Sequence, residues 1–154
     1  MKTITQLVKV KSVHPDAFVP TFATKGAACF DLRAIDVDSA TRHPHDQNAK
    51  IYRTGLKFES PPGFCMKIYS RSGHGFKYAL RLSNSVGIID SDYRGEVMIA
   101  LRGDGREYIV EEGERIAQAK IEPLSNYVLV ETFDLSETER GEGGFGSTGK
   151  VSLQ

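Results

Sequence analysis

Several clusters of residues in this chain have the types and spacing to handle phosphate. One is a glycine-rich stretch running from Arg140 through Gly149, after a polar, acidic segment that starts near Asp134. Its five glycines (positions 141, 143, 144, 146 and 149) let successive backbone N–H groups turn toward a single anion. Ser147 and Thr148 add hydroxyls, and Arg140 adds a planar cation suited to phosphate oxygens. Phe145, alone among glycines next to Gly146, is free to stack on a flat ring. Taken alone, the stretch also fits a flexible Gly/Ser tail. Gly144 to Lys150 matches the spacing G-x-x-x-x-G-K, but Val151 stands where a P-loop needs Ser or Thr, so an ATPase or kinase loop is excluded.

A second cluster runs from Gly87 to Glu96. Asp90 ends an apolar run and opens a polar turn, where a carboxylate can orient and deprotonate a water. An ordinary turn aspartate fits the same position. Tyr93 can pack under a sugar ring or sit half-buried on a strand. The third cluster, Arg71, Ser72 and Gly73 after an alternating segment, makes a phosphate seat from a guanidinium, a hydroxyl and a backbone N–H. In the fourth, Gly113 to Gln118, the Gln118 amide can donate to phosphate. His14, His43, His45 and His74 form no ligand pattern, and residues 41–48 read as a solvated loop. A metal held directly by protein is not expected. A Mg²⁺ ion carried by substrate phosphates needs only one or two carboxylates nearby.

The elements that must position these groups are strands. Phe64, Met66 and Ile68 alternate with Cys65, Lys67 and Tyr69, and Val97, Ile99 and Leu101 alternate with Glu96, Met98 and Ala100. Residues 114–121 follow the same pattern, with Ile116 beside Ala117. Further strands are predicted at 4–13, 28–35, 50–58, 78–82, 107–110 and 127–133. Turn signals fall at Pro61-Pro62-Gly63, Glu112-Gly113 and Asp104-Gly105, the last a hairpin candidate. One short helix is expected near 72–78. Many short strands at even spacing indicate an all-β, jelly-roll-like sandwich or barrel.

The 154 residues suit one domain, and a 40% hydrophobic content suffices for a core. Lys+Arg and Asp+Glu both number 20, a balance that argues against nucleic acid as a main partner while allowing a small nucleotide. Cys29 and Cys65 do not make a disulfide framework or a zinc site. The first residues lack the apolar core of a signal peptide, and no segment suits a membrane span. A soluble, reducing, cytoplasmic setting is expected.

In order along the chain, five motifs resemble those of the trimeric dUTPase family. They are Ala27 to Ala34, Arg71 to Gly73, Asn84 to Glu96, Gly113 to Gln118 and Arg140 to Gly149; GIIDSDYRGE and RGEGGFGSTG are nearly verbatim. The resemblance implies a jelly-roll-like (β-clip) fold over residues 1–133 and a flexible arm, 134–154, that closes a neighbouring active site in a homotrimer. It implies hydrolysis of dUTP to dUMP and pyrophosphate, which keeps uracil out of DNA and supplies dUMP for dTTP synthesis. Asp90 is then the base for the attacking water. Asn84, the backbone from Gly87 through Ile88 to Ile89, and Met98 read uracil, and Tyr93 lies under deoxyribose. Arg71, Ser72, Gly73 and Gln118 touch phosphates. Arg140 meets the terminal phosphate, Phe145 covers uracil, and Gly146, Ser147 and Thr148 complete the lid. Asp31 touches Mg²⁺ through water.

Three stretches depart from the family pattern. Cys29 and Phe30 replace the usual Gly and Tyr, His74 to Lys77 replaces a small apolar run, and residues 41–49 lack the usual turn. Two other readings remain at this stage. A dCTP deaminase of the same fold needs an acid on the strand after the third motif, and Met98 to Gly103 contains none. A nucleotide-switched interaction module would use the same tail to report ligand state.

Overall fold

A computed structural model describes residues 5–105, 108–145 and 147. Among these residues ten strands and one α-helix follow in the order β1 Lys9–Ser12, β2 Phe30–Arg33, β3 Thr41–His43, β4 Asp46–Arg53, β5 Leu56–Glu59, β6 Phe64–Tyr69, α1 Ser72–Tyr78, β7 Arg81–Leu82, β8 Val86–Ile89, β9 Met98–Arg102 and β10 Arg115–Pro123, with one short 3₁₀ helix, Val37–Ser39, between β2 and β3. They form two four-stranded antiparallel sheets, β2-β10-β6-β8 and β3-β4-β9-β7, with β1 and β5 paired separately. This is the expected all-β, jelly-roll-like architecture, and α1 falls where a short helix was predicted.

The period-two pattern decides which side chains meet. In β9, Ile99 and Leu101 are buried while Met98 and Arg102 face outward. They join Leu32 of β2, Tyr52 of β4, Met66 and Ile68 of β6, and Ile116 of β10 in one core. Ile116 and Ala117 are adjacent yet both buried, because the register of β10 against β2 shifts between Arg115 and Ala117. Such a bulge turns two successive side chains toward one face. Cys65, expected on the outer face of β6, is buried as well, and both cysteines are free thiols.

Several expectations need correction. The single strand predicted at 50–58 is two strands in different sheets, broken at Thr54 and Gly55. Gly55 has φ +68°, and a Cβ there would lie 2.6 Å from the Ile35 side chain, so the break is specific to glycine. The supposed solvated loop at 41–48 is largely the β3–β4 hairpin, whose polar residues become strand because β3 pairs with β4, itself paired over Ala49–Arg53 with β9. β8, absent from the predicted strands, pairs with β6. Only Arg81 and Leu82 of the predicted 78–82 strand pair, since Ala79 closes α1 with φ 52°. The predicted ends of 4–13 and 28–35 likewise shrink to β1 and β2.

Residues 108–110 and 127–133 are not strands, and Asp104-Gly105 is a bend rather than a described hairpin. Tyr127, Val128, Leu129 and Val130 stand exposed, and the run pairs with no strand among the described residues. Among the described residues, no helix is long and apolar enough to cross a membrane.

Candidate active site

The residues singled out in the sequence fall mainly into a cavity on one side of β6 and a polar network on the other. On one side of β6, the β7–β8 turn and β9 enclose a cavity of about 130 Å³ lined by Ile68, Leu82, Asn84, Gly87, Ile89 and Met98, among others. Gly87 is buried with its backbone against Ile68, where an added Cβ would lie 3.1 Å from the Ile68 Cβ. Ile88 and Met98 are exposed at the rim. The cavity therefore offers backbone edges, one amide side chain and apolar walls, the composition that recognises a small flat heterocycle.

Asp90 follows β8 directly and is exposed. Among the described residues its carboxylate has no hydrogen-bond or ion-pair partner, so it is available to a water. Beyond it, the chain turns through a bond from Tyr93 N–H to the Asp90 carbonyl at 3.2 Å. The Tyr93 ring folds over Gly95, and its hydroxyl donates to the Glu96 carbonyl at 3.3 Å. A Cβ on Gly95 would lie 2.2 Å from the Tyr93 hydroxyl oxygen, so glycine is what permits this pose.

Glu96 fixes the far end of this turn. It accepts from Arg53 Nε and Nη2 and, at 2.8 Å, from the Gly55 backbone N–H. Burial raises the Glu96 pKa, but the Arg53 and Gly55 hydrogen bonds outweigh it and hold the carboxyl below its ordinary value.

On the other side of β6, the seat proposed for phosphate is a connected network. Arg71 Nε donates to Asp31 Oδ1 at 3.0 Å, and Arg71 Nη1 donates to the Arg115 carbonyl at 2.8 Å. Arg115 Nη1 reaches the second Asp31 oxygen at 3.2 Å. The Gln118 amide donates to the Ser70 carbonyl at 2.9 Å, so one of its two N–H groups already positions the strand leading to Arg71. Ser72 and Gly73 open α1 and are exposed, with nothing within 4 Å of a Cβ built on Gly73.

Arg115 and Ser70 were not singled out as site residues in the sequence. They belong to the seat through partners 40 or more positions away, a relation that spacing does not reveal. Among the described residues, no group of three or more His, Cys, Asp or Glu side chains converges to hold a metal.

Among the described residues, the hydrogen bonds of the C-terminal arm do not reach the cavity or the Arg71–Asp31 network. Arg140 Nε donates to the Gly143 carbonyl at 2.8 Å, and Ser147 N–H bonds to the Gly144 carbonyl. Phe145 is fully exposed. Gly146 and Thr148 lie outside the described residues.

A family model described as dUTPase matches residues 15–149. The chain belongs to the dUTPase family. A deoxyuridine 5'-triphosphate nucleotidohydrolase of Nautilia profundicola is 42% identical over 144 residues, covering 93% of this chain and 99% of that protein. One from Hydrogenobaculum is 42% identical over 141 residues, covering 91% and 96%. Among solved structures, a mutant dUTPase of Staphylococcus bacteriophage 80alpha with dUpNHpp is 26% identical, with a TM-score of 0.78 over 95% of this chain and 100% of that one. Another structure of that phage protein, also 26% identical, with a TM-score of 0.77 over 95% and 100%, is described as controlling transfer of virulence genes. The five dUTPase-like motifs thus fall on the β7–β8 turn, the ends of β6 and β10, β2 and the arm.

Proposed function

We infer that the chain hydrolyses dUTP to dUMP and pyrophosphate, with Asp90 taking a proton from the water that attacks the α-phosphorus. The observation that carries this reading is the position of Asp90, exposed and unpartnered among the described residues, one residue beyond a heterocycle-sized cavity on β8. Uracil enters that cavity, where Asn84, the Gly87–Ile89 backbone and Met98 meet its edge. The small size of the cavity, about 130 Å³, supports rejection of the extra methyl of thymine. Tyr93 lies under the sugar. Arg71, Ser72, Gly73 and Gln118 bind phosphates, and the reaction proceeds by positioning and charge stabilisation.

Asp31 suits a Mg²⁺ ion carried by those phosphates. Each of its oxygens accepts one arginine N–H, which leaves lone pairs for a metal-bound water. The ion would neutralise developing charge on the pyrophosphate. Asp31 also holds Arg71 and Arg115 in place, a role independent of the metal.

One chain does not bring these parts together. Met66 pairs with Ile89 and Tyr69 with Val86, so Asp90 leaves one end of the β6–β8 pair and Arg71 the other. At about 3.3 Å per residue the two lie on the order of 20 Å apart. The Arg71 guanidinium also points across β10 to Asp31 on β2, further from β8. A site shared between subunits of a homotrimer resolves this separation, and the arm from Asp134 onward, with Arg140, Phe145, Gly146, Ser147 and Thr148, supplies the lid.

The test is incubation with Mg²⁺ and, separately, dUTP, dCTP, dTTP and UTP, with chromatography of the products. Formation of dUMP and pyrophosphate from dUTP alone is expected. Conversion of dCTP to dUTP would instead identify a deaminase, which β9, without an acid, does not favour. The description of the phage relative supports a second reading, in which the chain also engages a partner protein in a nucleotide-dependent way. A dUTP-dependent pull-down tests it.

A further inference from the structure

His74 is the buried residue of α1, and its neighbours are specific. Its Nε2 lies 2.7 Å from Glu114 Oε1. The same oxygen accepts the Tyr108 hydroxyl at 2.6 Å, and Glu114 Oε2 accepts the Glu111 backbone N–H at 3.0 Å. The His74 ring packs against Tyr78, 6.2 Å away, and Tyr108, 5.7 Å away, and those two rings lie in contact with each other at 4.6 Å. The Glu114 carboxylate is pushed up by burial but held below its ordinary value overall by Tyr108, Glu111 N–H and His74. An ionised Glu114 accepts only, so His74 Nε2 carries the proton. His74 Nδ1 is buried without a partner. The ring therefore presents Nε2–H to the Glu114 carboxylate.

Position gives this cluster its meaning. Glu114 immediately precedes Arg115, which receives Arg71 on its carbonyl and grips Asp31 with its guanidinium. His74 lies one residue beyond Gly73. The segment from Arg71 to His74 is therefore tied to the start of β10 at both ends, by Arg71 to Arg115 and by His74 to Glu114. A charged acceptor makes the second tie a strong hydrogen bond.

The geometry points to His74 and Glu114 as positioning residues that set the phosphate seat, holding Ser72 and Gly73 at a fixed offset from Arg71 and Asp31. The pair touches no substrate and acts only through the segment it anchors. It replaces the small apolar run found at this place in the family, so rigidity here comes from a buried polar bond rather than from packing alone. This inference rests on the phosphate-seat reading above.

Its test compares a triphosphate with a monophosphate. Binding of dUpNHpp and of dUMP is measured by calorimetry for the wild type and for His74→Leu, His74→Gln and Glu114→Ala. His74→Leu and Glu114→Ala should each weaken dUpNHpp about tenfold while leaving dUMP within about twofold. His74→Gln, which keeps a donor near the Nε2 position, should recover most of the loss. The His74→Leu/Glu114→Ala double variant should be no worse than either single one.

Wild-type affinity for dUpNHpp in His74→Leu would overturn the inference. So would an equal loss for dUMP, or no recovery with Gln. Were the Leu variant not to fold, Glu114→Ala decides the matter, because an unchanged ratio of the two affinities in that variant would overturn the inference. A wild type that binds neither ligand would instead defeat the phosphate-seat reading itself.

Discussion

Asp90 is exposed and free of partners among the described residues, as is Asp92 in the same turn, whereas Asp31, Glu96 and Glu114 are each held by donors. A carboxylate already committed to donors is a poor acceptor for a water's proton, and of the two free ones Asp90 is the one that directly follows β8, whose Ile89 lines the cavity. Asp90→Asn should lower kcat by about 10²–10⁴ and leave dUpNHpp affinity nearly intact, read from steady-state kinetics beside calorimetry. A collapse of affinity would make Asp90 a binding residue. Gly95 carries a related consequence. An alanine there displaces the Tyr93 ring, which is half exposed and can swing away at little cost to the fold. Gly95→Ala should therefore reduce the preference for dUTP over UTP by about tenfold while shifting Tm by only a degree or two, within the usual range for surface substitutions.

At the scale of elements, the turn that carries Asp90 and Tyr93 is pinned by Glu96 to Arg53 at the end of β4 and to Gly55 at the start of the next strand's approach. The Glu96 carboxyl is held below its unfolded value of 4.5, so its contribution is full above that pH and fades as pH falls through the lowered folded value. Glu96→Gln should cost about 1–3 kcal/mol at pH 7. The gap from wild type should close on acidification below about pH 4.5, followed by urea unfolding at stepped pH. A gap independent of pH would mean that the carboxylate charge contributes nothing.

The alternation of β9 was legible because one of its faces is buried. The break at Gly55 was not, since a positive φ leaves no trace in a segment that carries strand-forming residues on both sides of it. The β3–β4 hairpin was missed because its polar residues pair through backbone groups, which the side-chain pattern does not report. The motifs of the site were legible as ordered strings, but the Asp31–Arg71–Arg115 and His74–Glu114 partnerships join distant segments and appeared only with the fold.

At the scale of the whole molecule, a base and a phosphate seat on opposite ends of one strand pair cannot serve one triphosphate unless a second copy supplies the missing half. The exposed apolar run Tyr127–Val130 and the arm, whose described hydrogen bonds are all local, belong to the same picture, since both present groups with no distant counterpart among the described residues. Truncation before Arg140 should nearly abolish turnover while leaving the assembly size unchanged by light scattering. Mixing tests the sharing directly. Arg71→Ala and Asp90→Asn homotrimers should each be almost inactive, the first lacking the seat and the second the base. After denaturation and refolding as an equal mixture, a site regains function wherever Asp90 comes from an Arg71→Ala subunit and Arg71 from its Asp90→Asn neighbour. In a cyclic trimer with random assembly this arrangement occupies roughly a quarter of all sites, so activity should return to about a quarter of wild type. If each chain held a complete site, the mixture would stay as inactive as its components.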